Sequence, residues 1–235
     1  MTTVTAKPTI TWEKLPDDFA LPDDPVDDIE QPILAAALSE SLEQTGRLQE
    51  TMLVATNYGV CARLDGKIVI KAPDWMYVPR IEVSPETVRR SYTPYLQGDI
   101  PGIVIEFLSD TEGGEYSSKP TYPPGKWYFY EQVLRVPQYA IFELQQGVLE
   151  VYQLNDFGRY DLQQPQESDR YWINALSLFL DVWEGTKGNR PGYWLRWWDE
   201  SGQLLPWGVE LVEQERQRVQ ALIAQLRAAG IEPEV

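Results

Sequence analysis

Three residues of this 235-residue chain combine a type and a setting that folding alone does not demand: Asp74, Glu106 and Lys126. Glu106 stands inside Ile103-Val104-Ile105-Glu106-Phe107-Leu108, a run apolar enough for a strand buried on both faces. Period-two alternation puts its carboxylate on the face of Val104 and Leu108, where a charge is costly unless a cation, a basic side chain or a proton offsets it. Asp74 follows Pro73 at a kink between Ile68-Val69-Ile70 and Trp75-Met76-Tyr77-Val78, and aspartate is disfavoured in strands. Lys126 opens a helix after Pro123-Pro124-Gly125, where a cation opposes the helix dipole, yet it shares a face with Phe129, Tyr130 and Val133. Taken singly, each has a plainer reading: an ion-paired glutamate, a Pro-Asp turn, a lysine snorkelling at an element boundary. Taken together, two carboxylates on adjacent strand segments would hold one Mg²⁺ (or Mn²⁺) through oxygen, with water completing the shell. The lysine would orient an attacking water or stabilise negative charge developing on phosphorus. That chemistry is metal-dependent phosphodiester hydrolysis.

Composition narrows the menu from the other side. The chain has no histidine and a single cysteine, Cys61. Ser-His-Asp and Cys-His nucleophile systems, His-containing zinc sites, four-cysteine metal cages and internal disulfides are therefore excluded. Hydrophobic residues at 43% and charged residues at 24% are those of a globular chain. Twenty Lys/Arg against 36 Asp/Glu give a formal net charge of −16, and residues 1–50 hold half of it. A field of that sign repels polyanions and anionic membranes, so DNA would have to be met locally, through a cation and the site itself. The first residues are polar and acidic rather than signal-like, and no apolar run reaches the roughly 20 residues of a membrane span. The expectation is a cytoplasmic protein with no membrane contact.

Periodicity predicts the elements that must position these residues. Residues 1–30 read as an irregular acidic arm punctuated by Pro8, Pro16, Pro22 and Pro25. A helix over 32–45 starts at Pro32 and stops at Gly46. Strands follow at 52–58, 59–64 and 68–78, the last two joined by the hairpin turn Asp65-Gly66. After a strand at 103–108 comes a polar stretch, 109–125, longer than ordinary connections. A helix over 126–135 precedes Pro137, and 139–144 pairs with 148–154 around Gln145-Gln146-Gly147. The segment 160–208 is rich in tryptophan and poor in periodicity, with only a short strand at 194–199 and a turn at Ser201-Gly202. A helix over 209–229 carries the apolar stripe Val212, Val219, Leu222, Ile223 and Leu226. The pattern is α/β or α+β, read as an arm (1–30), one domain (31–208) and a C-terminal helix (209–235).

In this order, Ala72-Pro73-Asp74-Trp75-Met76-Tyr77-Val78, Ile105-Glu106-Phe107-Leu108-Ser109 and the run from Lys126-Trp127-Tyr128-Phe129-Tyr130 to Val136-Pro137-Gln138-Tyr139 resemble the Uma-type restriction endonucleases, of the PD-(D/E)XK nuclease superfamily. The resemblance runs from about residue 30 to the end, including Trp194-Leu195-Arg196-Trp197-Trp198. It implies a restriction-endonuclease-like mixed central sheet flanked by helices, with the Trp-rich segment and the C-terminal helix appended. It also implies Asp74 as the Pro-Asp metal ligand and Glu106 as the acid of the second motif. The superfamily's lysine two residues later is replaced here by Leu108, and the resemblance passes its role to Lys126. Related sequences carry a further acid after Glu-x-Leu-Ser, for which Asp110, Glu112 and Glu115 are the candidates. The superfamily also recruits an acid from its first helix, where Glu40 lies nearer the apolar face than Glu43.

The activity implied is Mg²⁺-dependent endonucleolytic hydrolysis of DNA. The alternative is a catalytically inactive nuclease-fold module that binds or oligomerises. An acid-pair glycosidase would need carboxylates about 5–10 Å apart in a sugar-sized cleft. The nine tryptophans read as core rather than as a sugar platform. The C-terminal stripe either packs back on the body or pairs with a second copy, and a homodimer would suit an enzyme cutting two strands.

Overall fold

A mixed six-stranded sheet divides the structure into two cores. The structure, a computed structural model, describes residues 7–16, 19, 29–88, 90–108, 114–166 and 169–230. In chain order the elements are β1 (Ile10–Thr11), α1 (Gln31–Gln44), β2 (Leu53–Ala55), β3 (Val60–Leu64), β4 (Lys67–Lys71), β5 (Trp75–Val78) and β6 (Ile103–Phe107). There follow α2 (Lys126–Tyr128), the π-helical turn Phe129–Leu134, β7 (Gln138–Glu143), β8 (Val148–Leu154) and β9 (Tyr160–Leu162). β10 (Tyr171–Ile173), β11 (Leu178–Lys187), β12 (Arg190–Trp198) and α3 (Gly208–Ala228) complete the chain.

The central sheet has the order β2-β5-β6-β7-β8-β9, antiparallel throughout except for the parallel pair β6–β7. This is the mixed central sheet that the resemblance implies, with few helices beside it. On one face pack α1 and the sheet β10-β11-β12; on the other pack β3, β4 and the π-turn. Alternation sorts the strand residues between the two. Trp75 and Tyr77 of β5 and Ile103, Ile105 and Phe107 of β6 face the α1 side, while Met76, Val78 and Val104 face the other. By the same count Asp74 and Glu106 fall on the Met76–Val104 face. Trp75 lies opposite Ile105, so the antiparallel register brings Asp74 across from Glu106.

Five of the nine tryptophans, Trp75, Trp194, Trp197, Trp198 and Trp207, are core, and the other four are half-buried. Trp75, Trp197 and Trp207 are 0, 0 and 1% exposed. Their indole N–H groups donate to α1, at Ser39 Oγ (3.0 Å), Leu38 O (3.1 Å) and Ala37 O (3.1 Å) respectively. Burying such rings is strongly favourable only when that polar handle is satisfied, and here α1 satisfies three of them.

Three expectations need correction. The segment 160–208 is largely β: β11 and β12 form a long hairpin pairing from Phe179–Trp198 to Lys187–Arg190, with β9 and β10 before it. Its aromatic side chains occur in both registers, which erases the period-two signal. The helix expected at 126–135 is one α-turn that widens into a π-turn, closed by Arg135 in the left-handed region (φ 59°). The arm is not irregular throughout, because Ile10 and Thr11 pair with Leu64 and Arg63 and Leu15 is buried. Among the described residues no helix is long and apolar enough to cross a membrane.

Candidate active site

The cluster is built from four elements. β5 is preceded by the Pro73-Asp74 corner, and Asp74 Oδ2 accepts the Phe107 backbone N–H at 2.6 Å. β6 supplies Glu106, which is fully buried (0% exposed). Glu106 Oε1 accepts the Tyr130 hydroxyl at 2.7 Å, and its Oε2 accepts Lys126 Nζ at 3.1 Å. Lys126 also reaches Glu115 Oε1 at 3.2 Å, and the Glu115 backbone carbonyl accepts the Tyr139 hydroxyl at 2.9 Å. Gly125 lets the chain close behind the lysine: a Cβ there would lie 2.0 Å from the Ser117 carbonyl oxygen. The acids are buried (Asp74 8%, Glu115 3% exposed), while the Lys126 side chain keeps 29% of its surface.

Lys126 therefore holds the head of the cluster, and the electrostatics follow. Burial pushes Glu106 up to about 8, with Lys126 pulling it down and Asp74 adding to the rise. Burial likewise raises Asp74, against the opposing pull of the Phe107 N–H and Lys126. Burial would lower Lys126, but Glu106, Glu115 and Asp74 outweigh it and hold the ammonium form well above its ordinary range. A lysine so held donates hydrogen bonds and positive charge; it is not a proton acceptor. Two carboxyl groups pair with one ammonium group, a third, that of Asp74, feels its charge, and Glu115 Oε2 is buried with no hydrogen-bond partner. Orphaned buried oxygens of this kind call for a ligand.

The structure brings Asp74, Glu106, Lys126 and Glu115 together. It does not bring Glu40 there. Glu40 lies on the α1 side, paired with Lys187 and accepting the Gly208 N–H at 2.8 Å. Its carboxyl feels burial, Lys187, Gly208 and Arg196, and none of the site residues. Asp110 and Glu112 lie outside the described residues. In the sequence Tyr130 stands out only as a packing neighbour of Lys126, four residues on, and no local pattern marks Tyr139 or Lys71 as site residues. Burial and the neighbouring ammonium groups of Lys126 and Lys119 lower Lys71 while Glu106 raises it, which places it beside the cluster. The four-residue spacing of Lys126 and Tyr130 was a usable signal; the approach of Lys71 depends on the fold of β4 over the sheet.

All candidate ligands are oxygens, the donor set of a hard divalent cation. Among the described residues no three acidic or cysteine side chains are spaced to hold a metal ion together. Asp74 and Glu106 are the two carboxylates that could share such a cation, water and substrate oxygens filling its remaining positions.

A protein-family model described as "Uma2: Putative restriction endonuclease" matches residues 30–183, which include every member of this cluster. None of the curated proteins compared with the chain matches it.

Proposed function

The chain belongs to the Uma2 family, a family of putative restriction endonucleases by description, and from that premise we propose that it is a Mg²⁺- or Mn²⁺-dependent endonuclease of the cytoplasm that hydrolyses DNA. The observation that carries the proposal is the pairing of Asp74 and Glu106 across β5 and β6, on one face and buried, with Lys126 held beside them. Asp74 and Glu106 would hold the cation. When bound, it supplies Lewis-acid polarisation of the phosphate and lowers the pKa of water.

The residues of the chain do the rest. The Phe107 N–H fixes Asp74, and the Tyr130 hydroxyl fixes Glu106, so neither carboxylate has to search for its orientation. Lys126, kept protonated and partly exposed, meets the scissile phosphate and stabilises the charge that grows on its oxygens. Glu115 anchors that ammonium from the far side. The active assembly is proposed to be a homodimer.

Supercoiled plasmid is the test substrate. The wild-type chain is expected to nick or linearise it with Mg²⁺ or Mn²⁺ and to stop when the cation is chelated. Asp74→Asn and Glu106→Gln should each lower the rate by at least about 100-fold. Plasmid left intact by the wild-type chain with either cation would overturn the proposal in favour of an inactive binding module.

A further inference from the structure

We propose that β4 and the loop 117–125 form a track for the phosphate backbone of DNA, with Lys71 and Lys119 as its phosphate-binding groups. The proposal rests on the nuclease reading of the adjoining site. On a chain of net charge −16 with seven lysines, four of them gather here: Lys67, Lys71, Lys119 and Lys126. Lys67 and Lys71 open and close β4 and share a face by strand alternation. The loop lies against that strand, because the Tyr122 hydroxyl donates to Ile68 O at 3.2 Å and Lys67 Nζ sits 4.9 Å from the Tyr122 ring centre. The Gly125 N–H donates to Lys119 O at 2.9 Å, fastening Lys119 beside the start of α2 and hence beside Lys126. Lys71 stands three residues before Asp74, so the track runs into the cluster.

These cations differ from the others nearby in what they touch. Lys126 is ion-paired to two acids, whereas among the described residues Lys67, Lys71 and Lys119 pair with none. Burial and the ammonium groups of Lys126 and Lys119 lower Lys71 against the opposing pull of Glu106, so a further anion at this end of β4 would offset like-charge repulsion among the three lysines. The opposite rim has the reverse character: Glu150 Oε2 accepts the hydroxyls of Tyr116 (2.6 Å) and Tyr152 (2.9 Å) and leaves that side anionic. A polyanion reaching Lys126 is steered along β4 and away from β8.

The test uses a fluorescein-labelled DNA duplex and the Asp74→Asn chain, which binds without cutting. Anisotropy is followed as a function of KCl. Adding Lys71→Ala with Lys119→Ala is expected to weaken binding about 10-fold and to flatten the slope of log K against log salt by roughly 2, near 0.9 for each lost phosphate contact. Arg47→Ala with Arg190→Ala removes the same charge on the α1 side and should leave the slope in place. An unchanged slope in the lysine pair, or an equal loss in the arginine pair, overturns the track. Cleavage by the wild-type chain together with an unchanged lysine slope would sink the track and leave the nuclease standing. Lysine-dependent binding without any cleavage would do the reverse.

Discussion

On each side of the central sheet a group of acids and bases sits among aromatic rings, and the two groups are wired differently. On the α1 side, Glu40 and Glu210 face Lys187 and Arg196, two charges of each sign. Glu210 receives Arg196 through two nitrogens (2.6 and 3.1 Å) and the Trp207 N–H at 2.7 Å. The Arg196 guanidinium, fully buried, lies 3.4 Å from the Trp207 ring centre and donates to Leu205 O at 2.9 Å. Every carboxylate there has a cation and a backbone N–H, and although burial raises Glu40, Lys187 and Gly208 hold it below its ordinary value. On the other side Glu106 and Glu115 share Lys126 with Asp74 close by, one Glu115 oxygen is left bare, as Arg196 Nε is on the α1 side, and Glu106 is pushed up to about 8. Balanced and backbone-anchored charges clamp α3 to α1 and β12; in the other set two carboxylates share one ion-paired ammonium group. Residue types alone do not separate the two.

The comparison breaks most visibly through activity. Lys126→Ala should abolish most cleavage, by at least about 100-fold, while leaving the fold intact, because the neighbouring carboxyls can take up protons. Arg196→Ala should act through stability instead. It strands Glu210 and opens space beneath Trp207, and denaturant unfolding should show a loss of about 3–5 kcal/mol. A cleavage defect at full stability in Arg196→Ala would undo the distinction.

Titration sharpens it, because the two sides have opposite signs. Glu106 binds its proton up to about 8 when folded but only near 4.5 when unfolded. Its contribution is therefore fully present below 4.5 and is lost as pH rises to about 8. The metal-free melting temperature should fall across that window, and Glu106→Gln should flatten the fall. Mg²⁺ at pH 8 should lift the melting temperature of the wild-type chain and leave that of Glu106→Gln unmoved. Glu40 runs the other way: its contribution is present above 4.5 and is lost as pH drops through its lowered value. The smallest effect belongs to Glu40→Gln, which should cost about 1 kcal/mol by denaturant unfolding at pH 7 and leave cleavage alone.

Most of what positions the site could be read from residue order. Alternation in Ile103–Phe107 placed Glu106 on the Val104 face, and helical spacing aimed Lys126 inward with Tyr130. What escaped reading shares a cause: it depends on partners distant in sequence. Glu40 looks like a site acid on α1 until Lys187 and Gly208 arrive from far along the chain to claim it. Lys71 looks like an ordinary strand end until the loop 117–125 folds over it. The β11–β12 hairpin hid because its apolar residues do not alternate.

Calorimetric titration of the metal-free chain with Mn²⁺ at pH 8 reaches the central assignment most directly. One ion should bind per chain, and neither Asp74→Asn nor Glu106→Gln should retain it, while Glu40→Gln binds as the wild type does. Undiminished Mn²⁺ binding in the first two variants, or its loss only in Glu40→Gln, would contradict a metal site between β5 and β6.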